Sequence, residues 1–587
     1  MPQRSRPKLP RRALVAAAGF ALLAGLTPAD AAPGLTQRAS VTSGEQQANG
    51  RSPATSVSDT SSPQLSLDGL KVAFSSDATN LVSGDTNRAA DVFVRDIVTG
   101  RTERVSVASN GTQANAASHS PSISVDGRYV AFVSAASNLV SGDTNGLEDI
   151  FLRDRSSRIT TRVSVTTSGG QLKGASRNPR MSLFGRHIVF ESDAVLASWD
   201  KNGLSDVFVH DTVTRRTGTV RPPDDAPEQT ILDTEHADPT ASLRRTWTSW
   251  PSISHDGRYL AFVVGTYERA GAVPSSLDVY IRDRVARTYT KIQMAPWMEA
   301  ARVLTDRPMI SADGRFVVYE AWSVLDSAVG SDEALVRNPL DVKDIHIYDR
   351  ITKSIGQVTF NSWFQPANGD SHSPSISAGG QYVSFVSDAT NLVAGDTNNA
   401  PDVFVRDNVA RTTSRMSVGA RAAQSATGGI APSISYEGRR VAFASASGLV
   451  SGDTNGVSDV FLHDRRTDLL NRAPDFRALG KSTISPMRET TVRMRATDPD
   501  GDPLRFGILL VTHQSEKPVL TEDELPQGAR LDPTTGVFRW TPTPDQAGSW
   551  RFIFWVDDPR GAGDFQVWDV VVRTLDQLAS CTVQGGC

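Results

Sequence analysis

One segment of this chain occurs in seven copies, and this repetition constrains the fold more than any other feature. The clearest copies are SPSISVDGRYVAFVS from Ser120, SPSISAGGQYVSFVS from Ser373 and APSISYEGRRVAFAS from Ala431. Weaker copies begin at Ser62, Asn178, Trp250 and Arg307. The first proline of each copy stands at 63, 121, 179, 251, 308, 374 and 432. Self-similarity at such a period indicates a repeat architecture made from one supersecondary unit.

A second block follows every copy, and the two blocks together predict four strands. The second blocks begin at Asp91, Asp149, Asp206, Asp278, Asp344, Asp402 and Asp459. Both blocks are short runs of Val, Ile, Phe and Tyr bounded by Gly, Asp or Pro, which is typical of strands. Asp-Gly inside the first block is a hairpin signal. We therefore expect four antiparallel strands per unit, the second of which, such as Tyr129 to Val133, is covered on both faces.

A four-stranded unit repeated seven times predicts a β-propeller, whose sheets close into a ring. The seventh unit has no fourth strand after Asp464, where the composition changes. An orphan segment, TQRASVT from Thr36 to Thr42, matches the fourth-strand blocks that begin at Thr102 and Thr161. We expect this segment to complete the last blade, because the pairing removes an exposed sheet edge. A linear array of units is the alternative.

The blocks SPSIS-x-DGRYVAF and DVFVRD resemble the TolB-type, WD-repeat-like propeller family over about three-quarters of the chain. TolB is a periplasmic protein-interaction module of the cell envelope. Similar repeats also occur in the propellers of certain peptidases and glycan lyases, so the resemblance implies a fold and leaves the function open. The seven units counted here exceed the number in TolB itself, which weakens any transfer of its partners.

The region after the repeats predicts a second, smaller domain. The stretches ATDPDGDPLRF, LPQGARLDPTTGVFRWTP, GSWRFIFWVDD and VWDVVV alternate strands with turns, as in a β-sandwich. Their order resembles the immunoglobulin-like, dystroglycan-type cadherin-like domain. The predicted fold class is therefore all-β: a seven-bladed β-propeller at 33–466, closed by an N-terminal strand, followed by an Ig-like β-sandwich at 472–574.

The N-terminus predicts export from the cytoplasm. Basic residues between Arg4 and Arg12 precede an apolar run from Ala13 to Leu26 and small residues up to Ala32. This order is typical of a signal peptide at 1–32, cleaved near Ala32. The export route, Sec or Tat, stays open. In an oxidising compartment, Cys581 and Cys587 of the 575–587 tail are close enough in sequence to form a local disulfide.

Charge and hydropathy exclude two classes of partner. A formal net charge of -4 and a pI near 6.2 provide no basic surface for nucleic acid. No later apolar run approaches the roughly 20 residues needed to cross a bilayer. We expect a mature chain without a transmembrane segment, present as a monomer.

Five units share the pattern D-x-N-x-x-x-D between their second and third strands. The positions are Asp85, Asn87, Asp91; Asp143, Asn145, Asp149; Asp200, Asn202, Asp206; Asp396, Asn398, Asp402; and Asp453, Asn455, Asp459. Calcium takes oxygen ligands, and this spacing supplies carboxylate, amide and main-chain oxygens for a weak structural Ca²⁺ site. Alternatively, the Asp and Asn side chains bond their own backbone in Asx-turns.

The resemblance to cadherin-like domains implies a further calcium set in the predicted sandwich. Its members would be Asp498, Asp500, Asp502 and Asp557. A tight turn made by Pro, Asp and Gly explains DPDGD equally well.

Two histidines are candidate ligand-binding residues. His119 and His372 each stand two residues before a first proline, so both are expected at the face of the ring that carries the D-x-N loops. They come from units three steps apart, so a shared metal is not expected. His210 and His463 replace the arginine of DVFVRD and are expected to be structural.

No catalytic set stands out, since the chain has no G-x-S-x-G elbow and no phosphate-binding glycine loop. The sequence predicts a secreted or envelope-associated, non-catalytic protein whose propeller binds a protein or glycan. The alternative is a propeller-based glycan-active enzyme, a polysaccharide lyase or hydrolase, with an architecture similar to that of oligogalacturonate lyase. His119, His372 and nearby carboxylates would then contribute to its site.

Overall fold

The chain is all-β in the part that the structure describes. The computed structural model describes residues 34–53, 62–196, 203–220, 245–267, 274, 276–292, 302–324, 342–419, 422–465, 475–477, 479, 481–498, 503–512, 525–557 and 563–574. The signal peptide, the boundary near 466–472 and the cysteine-containing tail lie outside these residues. Apart from one 3-10 turn at Pro544–Gln546, the described elements are strands. None of them is a helix of the length and apolarity that a membrane span requires.

Seven four-stranded antiparallel sheets, sheets 1 to 7, correspond to the seven repeats. The strand nearest the N-terminus is β1 (Leu35–Arg38). Sheet 1 contains β2 (Gln64–Leu65), β3 (Lys71–Ser76), β4 (Asp91–Asp96) and β5 (Arg101–Arg104). Sheet 2 contains β6 (Ser118–Ile123), β7 (Tyr129–Ser134), β8 (Asp149–Asp154) and β9 (Ile159–Arg162). Sheet 3 contains β10 (Ser176–Met181), β11 (His187–Ser192), β12 (Asp206–Asp211) and β13 (Arg216–Thr219).

The remaining sheets repeat the same order. Sheet 4 contains β14 (Arg245–Ile253), β15 (Tyr259–Tyr267), β16 (Ser276–Asp283) and β17 (Thr288–Lys291). Sheet 5 contains β18 (Arg302–Ile310), β19 (Phe316–Val324), β20 (Asp344–Asp349) and β21 (Ser354–Gln357). Sheet 6 contains β22 (Ser371–Ile376), β23 (Tyr382–Ser387), β24 (Asp402–Asp407) and β25 (Thr412–Arg415). Sheet 7 contains β26 (Ile430–Ile434), β27 (Arg440–Ser445) and β28 (Asp459–Asp464), and its fourth strand is β1.

Local chemistry explains why each repeat folds into a meander. In sheet 2 the Ser124 hydroxyl donates to Asp126 at 2.6 Å, and Asp126 accepts the N–H of Arg128 at 3.0 Å, which shapes the hairpin turn. Gly127 takes a positive φ of 67° there. The two middle strands are buried, and their rings Phe132 and Phe151 stack at 5.9 Å. The prediction that the second strand is covered on both faces is confirmed.

The N-terminal strand closes the seventh sheet. β1 pairs with β28 in the register Leu35 opposite Asp464 to Arg38 opposite Phe461, which is the pairing that the orphan segment predicts. The Ser40 hydroxyl adds a 2.5 Å bond to Asp459. Residues more than 400 positions apart are thereby hydrogen-bonded, so the two ends of the repeat region are held together.

A closed circle of backbone hydrogen bonds joins the hairpin turns of the seven sheets. Its links, from N–H to carbonyl, run Leu67 to Val125, Val125 to Leu183, Leu183 to His255, His255 to Ala312, Asp313 to Ala378, Ala378 to Tyr436 and Tyr436 to Leu67, at 2.9 to 3.5 Å. Hydrophobic clusters shared by adjacent sheets lie outside this circle, including one between sheets 1 and 7. This arrangement is consistent with a β-propeller.

The C-terminal strands form separate sheets around one aromatic core. These strands are β29 (Asp475–Phe476), β30 (Lys481–Ile484), β31 (Thr490–Arg493), β32 (Ala496–Thr497), β33 (Arg505–Thr512), β34 (Ala529–Asp532), β35 (Val537–Trp540), β36 (Gly548–Asp557) and β37 (Gly563–Val572). The sheet orders are β30-β37-β36-β33, β31-β35-β34 and β29-β32. Trp540, Trp568 and Phe538 are buried between the two larger sheets, so this region has a core of its own.

Candidate functional site

The D-x-N pattern of sheet 1 forms a closed polar network. Asp91 accepts the Ser106 hydroxyl at 2.5 Å, Arg104 at 3.1 Å and the Asn87 amide at 3.1 Å. Asp85 accepts Gln113 at 2.9 Å and lies 3.3 Å from Arg104. Asn87 also accepts the N–H of Ala89, as in an Asx-turn. Because one arginine pairs with both carboxylates, the geometry favours the Asx-turn interpretation, and a weak calcium site stays the untested alternative.

The network recurs in three further sheets. Its arginine, glutamine and serine are Arg162, Gln171 and Ser164 in sheet 2, Arg415, Gln424 and Ser417 in sheet 6, and Arg38, Gln47 and Ser40 in sheet 7. In sheet 7 these residues come from the N-terminal segment and the aspartates from the C-terminal end of the repeats. In sheet 3, Asp200 and Asn202 lie outside the described residues, and Asp206 accepts Thr248 of sheet 4 at 3.1 Å.

The two predicted ligand-binding histidines occupy equivalent positions in β6 and β22. His119 bonds Ser120 at 2.8 Å and Glu148 at 2.9 Å, and this second bond lowers the pKa of Glu148. His372 bonds Ser373 at 2.7 Å, and burial lowers its pKa. Among the described residues, no three His, Cys, Asp or Glu side chains converge on a metal position. His210 and His463 bond the fourth-strand residues Thr217 at 2.9 Å and Thr36 at 2.8 Å.

The predicted calcium ligands of the sandwich are described only in part. Asp498 follows β32 and is partly buried. Asp500 and Asp502 lie outside the described residues. Asp557 ends β36, opposite Gly563 of β37. This calcium set stays a prediction.

The first strands of the seven sheets surround a central channel that contains two cavities. The upper cavity, of about 60 Å³, is lined by residues next to the first prolines, including Asn178, Trp250, Arg307 and Ser373. The lower cavity, of about 150 Å³, extends to the hairpin turns, where His255 stacks on Tyr436 at 5.6 Å. We call the end of the channel at the upper cavity the mouth.

A backbone bulge at the first proline shapes the mouth. In six sheets the residue before the proline has a positive φ between 49° and 55°: Ser120, Asn178, Trp250, Arg307, Ser373 and Ala431. The strand register shifts at these positions, as at His119/Ser122 in sheet 2. A bulged residue leaves its N–H outside the ladder, so that N–H needs another acceptor.

Two buried glutamates accept such N–H groups from the following sheet. Glu191 of β11 accepts the N–H of Trp250 at 2.7 Å and the Asn178 amide at 2.7 Å, and Arg177 lies 3.4 Å away. Burial raises the pKa of Glu191, whereas the Asn178 bond opposes the rise. In sheet 5 the fully buried Glu320 accepts the N–H of Ser373 at 2.8 Å.

The charge of Glu320 is balanced by cations that also lie on aromatic rings. Lys343 donates to Glu320 at 2.9 Å and lies 4.4 Å from the centre of the Trp322 ring. Arg307 lies 3.7 Å from Glu320, and its guanidinium carbon lies 4.8 Å above the Trp250 ring. A cation over a ring face is stabilised by the ring quadrupole.

A third carboxyl group, Asp306, stands at the same register position as His119 and His372. Burial, together with the charge of Glu320, raises the pKa of Asp306 to about 7, although the N–H of Arg307 donates to it at 2.8 Å and opposes the rise. Asp306 is therefore a group that changes protonation near neutral pH.

Sequence reasoning missed the mouth residues of sheets 3 to 5, although the internal alignment contains a signal. Glu191 and Glu320 stand where the other repeats have Val133, Val263, Val386, Ala444 and Ser75. A charged residue at a position that is uncharged in the other repeats is an exception that the structure explains by the bulge of the next sheet.

No protein-family model matches the chain, and no curated protein matches it. Among solved structures, the chain is similar to a protein from Agrobacterium tumefaciens described as TolB, at 15% identity over 54% of this chain and 83% of that one, with a TM-score of 0.30. It is also similar to hydrazine synthase from Kuenenia stuttgartiensis, at 12% identity over 68% and 94%, with a TM-score of 0.34.

A third similar structure is an α-L-arabinofuranosidase from Fusarium graminearum, at 12% identity over 58% of this chain and 90% of that one, with a TM-score of 0.29. At such low identities and scores, the similarities do not distinguish a binding protein from an enzyme. The fold of the described residues is all-β and consistent with a propeller.

Proposed function

We propose that this chain is a non-catalytic binding protein that acts outside the cytoplasm, with the channel mouth as its binding site for a glycan or protein. In this proposal the seven sheets are the blades of one closed propeller, and the C-terminal sheets are an Ig-like, cadherin-like domain that extends or attaches it. The circle of hydrogen bonds through Leu67 and Tyr436 and the β1–β28 pairing support the ring.

The observation that carries the proposal is that both glutamates at the mouth, Glu191 and Glu320, already bind backbone N–H groups and cations of the protein. Glycoside hydrolysis commonly uses two carboxyl groups that flank the scissile bond, one as acid and one as base or nucleophile. Glu191 and Glu320 instead each accept a bulge N–H and face a cation. Their carboxylates therefore support the shape of the mouth, and a binding role requires nothing more of them.

The mouth presents a surface suited to binding. Trp250 and Arg307 line the upper cavity together with the amide of Asn178 and the hydroxyls of Ser62 and Ser373. Aromatic and arginine side chains dominate binding energy at many interfaces, and small polar groups fix the orientation of a ligand.

The test measures binding and turnover on the same preparation of the mature full chain. A panel of polysaccharides and a native cell-surface fraction are offered to the immobilised protein, and the soluble products are assayed for new reducing ends and unsaturated sugars. We expect retention without products. Trp250→Ala should weaken retention at least tenfold, whereas Trp363→Ala, which removes a 52% exposed tryptophan from an outer loop, should not. Turnover by the wild-type chain would overturn the proposal.

Asp306 favours one second candidate, a glycan-active enzyme. A carboxyl group with a pKa near 7 retains a proton that it can donate to a leaving group, as a general acid does. In that case Asp306→Asn would abolish product formation and leave polysaccharide retention intact. His119 and His372 stay predictions for either function, and His119→Ala tests their contribution to turnover.

A further inference from the structure

Arg180 is a positively charged residue of the channel that forms no ion pair with Glu191 or Glu320. It follows Pro179 in β10, at the position that carries Gln64 in sheet 1 and Met309 in sheet 5. The other four sheets have a serine here: Ser122, Ser252, Ser375 and Ser433. The arginine is therefore particular to sheet 3 and is not required by the repeat.

The side chain of Arg180 is half-buried, and it lines both the upper and the lower cavity. No carboxylate of the described residues lies within ion-pair distance of it, and its guanidinium has no hydrogen-bond acceptor among them. Glu191 acts on it electrostatically from farther away, while Asn178, Trp250 and Arg177 already occupy that carboxylate. Burial lowers the pKa of Arg180 to about 10, so the group still carries its charge at neutral pH.

A half-buried charge without a partner is unfavourable, and an arginine offers five N–H donors in a planar fork. A ligand that supplies the acceptors and the opposite charge would gain both the ion pair and the hydrogen bonds. A carboxylate matches the fork, because its two oxygens accept two parallel N–H bonds.

We propose that Arg180 binds the carboxylate of a small organic acid inside the channel. This inference rests on the proposed function and names the chemical class of the group that enters the mouth. The upper cavity of about 60 Å³ accommodates a small group and no folded segment. A monoanion is favoured over a dianion such as phosphate, because Arg180 supplies one unpaired positive charge, while Arg307 already pairs with Glu320.

The carboxylate could belong to a peptide-like or to a sugar-like acid, and paired probes separate these sources. Calorimetric titrations of the full mature chain use N-acetylalanine and glucuronate, with N-acetylalanine amide and glucose as uncharged matches and with inorganic phosphate as the dianion. We expect at least one acid to bind with a Kd below about 10 mM. We also expect its uncharged match and phosphate to bind at least tenfold more weakly. The acid that binds identifies the source.

The variant Arg180→Ser introduces the residue that four other sheets carry, so the fold tolerates it. It should weaken the bound acid at least tenfold. Arg216→Ser, which removes an exposed arginine from the outer strand of the same sheet, should leave the affinity unchanged. Without ligand, Arg180→Ser should raise the melting temperature, because it removes an unpaired charge.

Binding of neither acid, equal binding by Arg180→Ser, preference for phosphate, or a lower melting temperature of the ligand-free variant would each refute the inference. Retention of polysaccharide or protein that persists in Arg180→Ser refutes only this inference and leaves the proposed function standing. Failure of the wild-type chain to retain any polysaccharide or protein refutes the proposed function itself.

Discussion

Sheets 1, 2, 6 and 7 contain the complete D-x-N network, and we call them the regular sheets. Sheets 3, 4 and 5, which we call irregular, have the same strand order but supply most of the charged residues near the mouth. In the regular sheets the second and third strands are joined by a D-x-N loop, whose aspartates bind an arginine, a glutamine and a serine of the outer part of the sheet. In sheets 4 and 5 the corresponding loops lack the pattern, and Asp278 of sheet 4 pairs with Lys291 at 2.9 Å.

The charged residues in and behind the mouth come mainly from the irregular sheets. Sheet 3 contributes Arg177, Arg180 and Glu191, and sheet 5 contributes Asp306 and Glu320. The residues that the repeats share therefore stabilise the ring, whereas the residues that differ between repeats place charged side chains near the channel. In a protein of this kind, the exceptions to the repeat are the first places to look for a binding site.

Removal of residues 33–45 should cause the largest effect, because it deletes the fourth strand of a regular sheet. β1, the Ser40–Asp459 bond and the pairing of Arg38 with Asp453 and Asp459 would be lost together. We expect a loss of more than about 4 kcal/mol in the free energy of unfolding, well above an ordinary point mutation. Chemical denaturation of the truncated and full chains measures it. An unchanged unfolding curve would contradict closure by β1.

A matched pair of aspartate variants compares the two kinds of sheet directly. Asp149→Ala in sheet 2 removes a fully buried carboxylate that accepts Ser164 and Gln171 and pairs with Arg162. We expect a loss of about 3 kcal/mol, because an arginine is left without its buried partner. Asp278→Ala in sheet 4 removes a part-exposed pair and should cost less than about 1 kcal/mol. Equal losses would show that the D-x-N networks stabilise the fold no more than an ordinary surface ion pair does.

The pH dependence of stability tests the irregular sheets. The folded chain keeps the Asp306 proton up to pH about 7, whereas the unfolded chain loses it near 3.8. Between these values the folded state holds one more proton, so rising pH destabilises it, by at most about 1.4 kcal/mol per pH unit. Asp306→Asn should remove this dependence, and denaturation at pH 5 and pH 7 measures it. A parallel decline in the variant would contradict the assignment.

Calcium should have the smallest effect on the regular sheets. Arg104 lies 3.3 Å from Asp85 and 3.1 Å from Asp91, so a cation already occupies the position between the two carboxylates. We expect the propeller transition to melt at the same temperature in millimolar calcium and in chelator. A rise with calcium would instead support the metal interpretation of the D-x-N loops.

The strands and the closing pair were predictable because their causes are local. Ser124, Asp126 and Gly127 form a hairpin wherever their pattern occurs, and the orphan segment from Thr36 carries the same alternation as the other fourth strands. The Asx-turns of the D-x-N loops were one of two interpretations of the sequence. The arginine that pairs with Asp85 and Asp91 was not predictable, because it comes from the far end of the next hairpin.

The amino-acid pattern alone was enough to specify seven repeating units, their turns and the segment that completes the last of them, since each depends on neighbours along the chain. The mouth arises differently. Glu191, Trp250 and Asp306 lie roughly 60 residues apart in sequence, and each by itself is an unremarkable departure from a repeat. They form one site because the ring brings equivalent strand positions to a common axis, and that convergence depends on long-range packing.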